Sequence, residues 1–223
     1  MHQTHDGSFR LPRPPCAPRT IAMGKKTHFT GSLVIGDDEG FALEFESHTE
    51  KLVALVMLAR PNVGNLENQV PFRWRDRSGK ERTHFFDFRV SLRDGTRILL
   101  IVKNSKKAAD PEFRMEMRCL ASRVTADVGD RVVLITEEHL DPVEVHNAGL
   151  IHSVRQPDPE PDAAVRRVFA RTMGPVKISD VVDASGWPGR GFRSVVRLIR
   201  SHEIELTDFV RIEPESLVRR RIN

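Results

Sequence analysis

The sequence predicts an α/β protein, a mixed sheet flanked by helices, followed by a small second domain. Three observations predict it. Short apolar runs of strand type alternate with helix-periodic stretches between about residues 28 and 155. One of them, Ile98-Leu99-Leu100-Ile101-Val102, is continuously apolar, as a central strand covered on both faces must be. The run Gln-Pro-Asp-Pro-Glu-Pro at 156–161 then reads as a stiff linker before a basic, strongly amphipathic helix.

The elements follow in order. Residues 1–27 carry Pro12, Pro14, Pro15 and Pro18 without apolar periodicity and are expected to be disordered. Either Met1 or Met23 is compatible with a start. Strands are expected near 32–35 and 41–45. Ser47 opens a helix that runs to about Ala59, where Pro61 stops it. Its apolar positions Leu52, Val53, Leu55, Val56 and Leu58 nearly encircle it, so it should be buried. Strands at 70–74, 84–90 and 97–103 follow, the last two joined by an Asp94-Gly95 turn. A helix from Asp110-Pro111 to about 126, ended by Gly129, a strand at 131–136 and a helix from Glu137 onward complete a β-β-β-α-β pattern. Beyond the linker, residues 162–223 read as helices at 162–171, 178–184 and 190–202 and a small β-wing at 203–211, a helix-turn-helix or winged-helix-like domain.

The chain has 223 residues, 39% apolar and 30% charged, with a net charge of +4. No apolar run is long enough to span a bilayer, and no secretory leader is evident. Cys16 and Cys119 suggest neither a disulfide framework nor a zinc site, so a reducing, cytoplasmic setting is expected. The ends are basic: Arg10, Arg13, Arg19, Lys25 and Lys26 face one acid, Asp6, at the start, and the chain ends in Arg219, Arg220 and Arg221 before Ile222 and Asn223. Such ends suit a polyanion or serve as solvated tails.

Three residues carry candidate chemistry. Asp87 lies at the end of a hairpin strand and Lys103 at the end of the next, so antiparallel pairing can bring them together. A carboxylate beside a lysine offers hard oxygen ligands for a magnesium ion and a cation near a phosphate, which phosphodiester cleavage requires. Glu50 has two readings. Ser47-x-x-Glu50 is a capping box, and it is equally a carboxylate at a helix start available to a metal.

The segments Phe45-Glu46-Ser47-His48-Thr49-Glu50-Lys51, Pro61-Asn62-Val63, Gln69, Phe86-Asp87-Phe88 and Val102-Lys103 together resemble the TnsA-like endonucleases, which are PD-(D/E)xK nuclease subunits of heteromeric bacterial transposases. The resemblance spans about residues 28–140 and implies a restriction-endonuclease-like sheet. It implies that Glu50 and Asp87 ligate Mg2+ (or Mn2+) and that Lys103 orients the attacking water, and the Val102 carbonyl can serve as a further metal ligand. It also implies cuts at the 5′ ends of a transposon, a separate transposase subunit for the 3′ ends and an ATPase regulator as partner. Two positions depart from the pattern. Phe86 stands where a proline is usual. Ile101 stands two residues before Lys103, where related nucleases place an acid or a glutamine; its side chain cannot ligate magnesium. Glu112 and Glu116 on the following helix are candidates to replace that ligand. Gln69 matches a family position without an assigned chemistry and reads as a buried hydrogen-bonding residue.

In the second domain, Phe192, Val195, Val196 and Ile199 form one apolar helical face, and Arg190, Arg193, Arg197 and Arg200 line up elsewhere on the cylinder. That stripe is expected to meet DNA phosphates or an acidic partner, or to be a solvated face. Three functions compete: an active endonuclease subunit, a non-catalytic subunit that binds DNA or assembles the transposition complex, and a winged-helix transcription regulator. No ligand pocket or dimer heptad in the sequence supports the third.

Overall fold

A computed structural model of the chain describes residues 2–3, 7–15, 17, 29–76 and 78–221. The chain divides into two compact units, Met1–Leu140 and Asp141–Asn223. In the first, β1 (His2–Gln3) pairs with β2 (Phe9–Arg10), and β3 (Gly31–Ile35) pairs with β4 (Phe41–Phe45) in a separate antiparallel hairpin. Arg13 bridges to Phe41, its N–H donating to the Gly40 carbonyl at 2.9 Å and its carbonyl accepting from Ala42 N–H at 2.9 Å. Disorder was expected through this stretch; instead the backbone at Arg13 takes up hydrogen-bonding groups left open beside β4. The remainder of that expectation, Met23 included, lies outside the described residues.

Helix α1 (His48–Ala59) starts where Ser47, in an extended conformation, accepts from the Glu50 N–H. It buries Val53, Ala54, Leu55, Val56 and Met57, matching its all-round apolar pattern. The main sheet has the order β5-β6-β7-β8, with β5 at Val63–Arg75, β6 at Glu81–Leu92, β7 at Arg97–Val102 and β8 at Arg131–Ile135. The first three strands pair antiparallel, and β7 pairs parallel with β8. A parallel pair needs a crossover, which α2 (Ser105–Ala109) and α3 (Pro111–Ala121) supply. Helix α3 ends five residues before the expected point. Gly129 is not its terminator; it marks a close approach, where a Cβ would lie 2.7 Å from Leu99 Cγ. Phe113 and Leu120 of α3 cluster with Leu99 and Ile101 of β7 and with Val70, Phe72, Trp74 and Phe86.

The second unit comprises α4 (Pro142–Ser153), α5 (Pro159–Arg171), β9 (Val176–Lys177), α6 (Ile178–Ser185), α7 (Arg190–Arg200), β10 (Ile204–Leu206) and β11 (Leu217–Arg220). The strands form an antiparallel sheet in the order β10-β11-β9. The linker expected at 156–161 is not where the units divide. Pro159 and Pro161 stand in the first turn of α5, where a missing N–H costs nothing. Val154, just after α4, is buried with Val165, Phe169, Ile178, Val195 and Val218, and Leu150 and Ile151 pack against that cluster. The apolar face of α4 therefore assigns it to this unit. Asn147 of α4 donates to the Val210 carbonyl and accepts from the Ile212 N–H, fixing the segment between β10 and β11.

Candidate active site

The three residues singled out in the first unit are brought together. Asp87 lies in the middle of β6, and by the ladder that pairs Phe88 with Leu100 it stands across from the end of β7. Its Oδ2 accepts from the Val102 N–H at 2.7 Å and lies 3.5 Å from Lys103 Nζ. Lys103 Nζ also donates to the Val102 carbonyl at 2.9 Å, while the Lys103 N–H is held by the Ile135 carbonyl of β8. The lysine is thus folded back over its own strand end by two oxygen partners. Glu50 comes from the first turn of α1. Its Oε2 accepts from the Glu46 N–H at 2.8 Å and its Oε1 from the Ser47 hydroxyl at 3.0 Å, so the capping reading holds in part and reaches one residue further back than a standard box.

Electrostatics tie Glu50 to Asp87. Burial first, and then the negative charge of Asp87, push the Glu50 carboxyl up to about 7. Burial also raises Asp87, opposed by Lys103 and by the Val102 N–H, with Glu46 adding to the rise. Both side chains are nearly inaccessible, 5% and 7% exposed. Two buried carboxylates therefore share the positive charge of one ammonium, and a further cation would relieve their repulsion. The donor set, two carboxylates and a strand-end carbonyl, is hard oxygen throughout, which fits Mg2+ or Mn2+ and not a soft metal. Among the described residues no group of three His, Cys, Asp or Glu is placed to share a metal ion.

The supplementary ligands expected on α3 are elsewhere. Glu112 and Glu116 line a small pocket with Trp74, Asp76 and Ser78, at the turn end of the β5–β6 hairpin. Trp74 pairs with Arg82, five residues along β6 from Asp87, so the start of α3 faces the far part of the hairpin. Ile101 is 1% exposed and belongs to the apolar cluster beneath α3.

The surroundings of the carboxylates hold features that the sequence reading had in part, at Gln69 and Phe86, and others that it missed, at His84 and Glu46. Gln69 is 1% exposed and sits at φ 53°, between the pairs Asn68↔Phe88 and Val70↔Phe86, so it stands beside Asp87 in the ladder. A non-glycine residue there is uncommon and marks a backbone that the surroundings hold under strain. Phe86 clusters with Leu99, although strict alternation from Phe88↔Leu100 would put it on the opposite face; the strand pair turns over at Gln69 and Asp87. His84 is pushed down to about 4 by burial and then by Lys103, and its buried Nε2 has no hydrogen-bond partner among the described residues. Glu46, beside Asp87, was read only as part of a segment. A strand histidine and a loop acid give no periodic signal that would have found either.

The cap and ligand readings of Glu50 separate by experiment. A folded Glu50 holds a proton between about pH 4.5 and 7 that the unfolded chain has released, so its contribution to stability falls as pH rises through that window and is wholly unfavourable above it. The limit is about 3 kcal/mol. Glu50→Gln, unfolded by urea in EDTA, is therefore expected to be more stable than the natural chain at pH 8 by about 1–3 kcal/mol. The difference should vanish near pH 4. A variant less stable at pH 8 would make Glu50 a structural cap.

In the second unit the arginine stripe is not uniform. Arg197 is turned inward, its side chain 10% exposed, and pairs with the equally buried Asp162 at 2.7 Å and with the Ser194 hydroxyl. Arg190 grips Asp158 through two contacts of 2.6 and 3.0 Å and lies over the Trp187 ring. Arg200 is half-buried and has a partner of its own. Arg193 is exposed and makes no side-chain hydrogen bond or ion pair among the described residues. Acids from α5 and the segment before it, invisible in the helix's own sequence, neutralise half of the stripe. Arg197 is therefore part of the fold, whereas Arg193 stands outside it. Arg197→Glu should cost about 3–5 kcal/mol by leaving Asp162 facing a like charge in a buried place. Arg193→Glu should leave urea unfolding unchanged within ~0.5 kcal/mol.

No family model matches the chain, and no curated protein matches it significantly. No helix among the described residues is long and apolar enough to cross a membrane.

Proposed function

We propose that the chain is a metal-dependent DNA endonuclease subunit of a heteromeric transposase, cutting the 5′ ends of its transposon. The observation that carries the reading is the meeting of Glu50, Asp87 and Lys103, drawn from α1, β6 and the end of β7, at one buried carboxylate pair. Three antiparallel strands and one parallel strand, flanked by helices, hold them in a mixed sheet, which is compatible with this reading. Glu50, Asp87 and the Val102 carbonyl would hold the divalent cation. When bound, that ion would supply Lewis-acid stabilisation at the scissile phosphate and a more acidic water. Lys103, anchored by Asp87 and the Val102 carbonyl, keeps an ammonium beside the place where phosphate charge develops, and the apolar cluster beneath excludes water from the other side.

In the second unit, α6 and α7 followed by the β10–β11 wing make a winged-helix-like arrangement, and Arg193 offers a phosphate or an acidic partner its outer face. A transposase subunit for the 3′ ends and an ATPase regulator complete the proposed assembly. The test is strand cleavage of DNA carrying the transposon end that flanks the protein's own gene, with the neighbouring transposase present, across Mg2+ and Mn2+ titrations. One observation favours the non-catalytic alternative: Ile101 adds nothing to the ligand set. Normal DNA or partner binding without cleavage in either metal would establish that alternative.

A further inference from the structure

A second polar feature of the first unit lies apart from these carboxylates. β5 is an edge strand of the sheet, and beside its end lies a groove of about 760 Å3 whose lining includes Arg73, Trp74, Arg75, Arg82, Thr83 and Arg123. Two of its cations are already matched: Arg75 pairs with Glu81 at 3.1 Å and Arg82 with Asp76 at 2.9 Å. Arg73 and Arg123 are exposed, and among the described residues their side chains have no ion pair or hydrogen bond. Two uncompensated guanidinium groups and the Thr83 hydroxyl thus line a groove with Trp74, 7% exposed, in its wall, while the Thr125 hydroxyl is engaged by Asp127.

We infer that this groove holds the sugar–phosphate backbone of duplex DNA, an inference resting on the endonuclease reading above. Guanidinium and hydroxyl donors are the groups that position a duplex through its phosphates. Placement selects DNA over an acidic peptide. Thr83 is four residues from Asp87 along β6, about 13 Å at the rise of a strand. That span equals about four base-pair steps of 3.4 Å, so a duplex with one phosphate at Asp87 carries further phosphates over the groove. An acidic peptide has no reason to link the two places.

The probe is a mixed-sequence 20-base-pair DNA duplex, bound by the full chain in EDTA, so that affinity is read without cleavage, from 50 to 200 mM salt. Replacing both Arg73 and Arg123 with Gln should lower the slope of log affinity against log salt by about 1.8, about 0.9 for each contact. Affinity at 100 mM salt should fall about tenfold or more, with thermal unfolding unchanged because both side chains are exposed and unpaired. In Trp187→Phe, Trp74 is the remaining tryptophan, and saturating duplex should change its emission. An unchanged slope, or Trp74 emission that does not respond, overturns the groove. So does loss of poly-glutamate binding in the double variant with duplex binding intact, which would make the groove a peptide site. Normal groove behaviour with no cleavage by the natural chain in any metal would sink the endonuclease reading and leave the DNA contact standing.

Discussion

Asp87→Asn should lower cleavage of transposon-end DNA by about 10³-fold or more, some 4 kcal/mol of transition-state stabilisation, while the fold survives. The amide keeps the shape of the carboxylate, and its oxygen can still accept from the Val102 N–H. What disappears is the charge that anchors Lys103 and would hold the cation. Lys103→Ala should be equally damaging, because no other ammonium is held between Asp87 and the Val102 carbonyl. With two carboxylates in place of three, magnesium keeps more of its water, so activity is expected only at high Mg2+ or with Mn2+. The measurement is strand cleavage across both metal titrations with the partner transposase present. Cleavage that survives the combined loss of Asp87 and Lys103 would reject the mechanism.

Ile101→Glu is the second large effect, and its direction depends on packing. By analogy with related nucleases the change would restore an acidic ligand and raise activity, provided the side chain faces the carboxylates. Here Ile101 is buried among Val70, Phe72, Leu99, Phe113 and Leu120. A carboxylate there has no partner, and burying one without compensation costs several kcal/mol. We expect a loss of at least about 3 kcal/mol in urea unfolding, with less active protein rather than more. A stable, more active Ile101→Glu would show that the position opens onto the metal after all.

Legibility in the sequence followed periodicity and punctuation. α1 was readable because Ser47 and Pro61 bracket an apolar run, and β7 because no polar residue interrupts it. β5 was read at well under half its length: Gly64, Asn65, Asn68 and Gln69 look like loop residues, yet the strand runs through them with Asn65 and Asn68 paired to β6 and Gln69 left-handed after them. α2 was missed because Lys106 and Lys107 give it no apolar stripe; Asn104, capping Lys107 N–H, starts it. At the candidate site, Asp87 and Lys103 were legible from their strand ends and Glu50 from its place at a helix start, and the resemblance added their roles. Their mutual burial, which raises both carboxyl groups, is a property of three-dimensional packing and could not be read from spacing. The pairing of Arg197 with Asp162 lies beyond local sequence for the same reason, since the partners are 35 positions apart.

The position of α4 governs how the chain can be cut for study. A fragment beginning after the proline run, at about residue 162, loses the whole of α4, uncovers the apolar surface that Leu150, Ile151 and Val154 protect and frees the segment Asn147 holds. Amide hydrogens around Ile212 should then exchange quickly, and the fragment should aggregate. One beginning at Asp141 keeps that cover, including the carboxylate that caps α4. For isolating the second unit, the productive cut lies some twenty residues upstream of the point the prolines suggest.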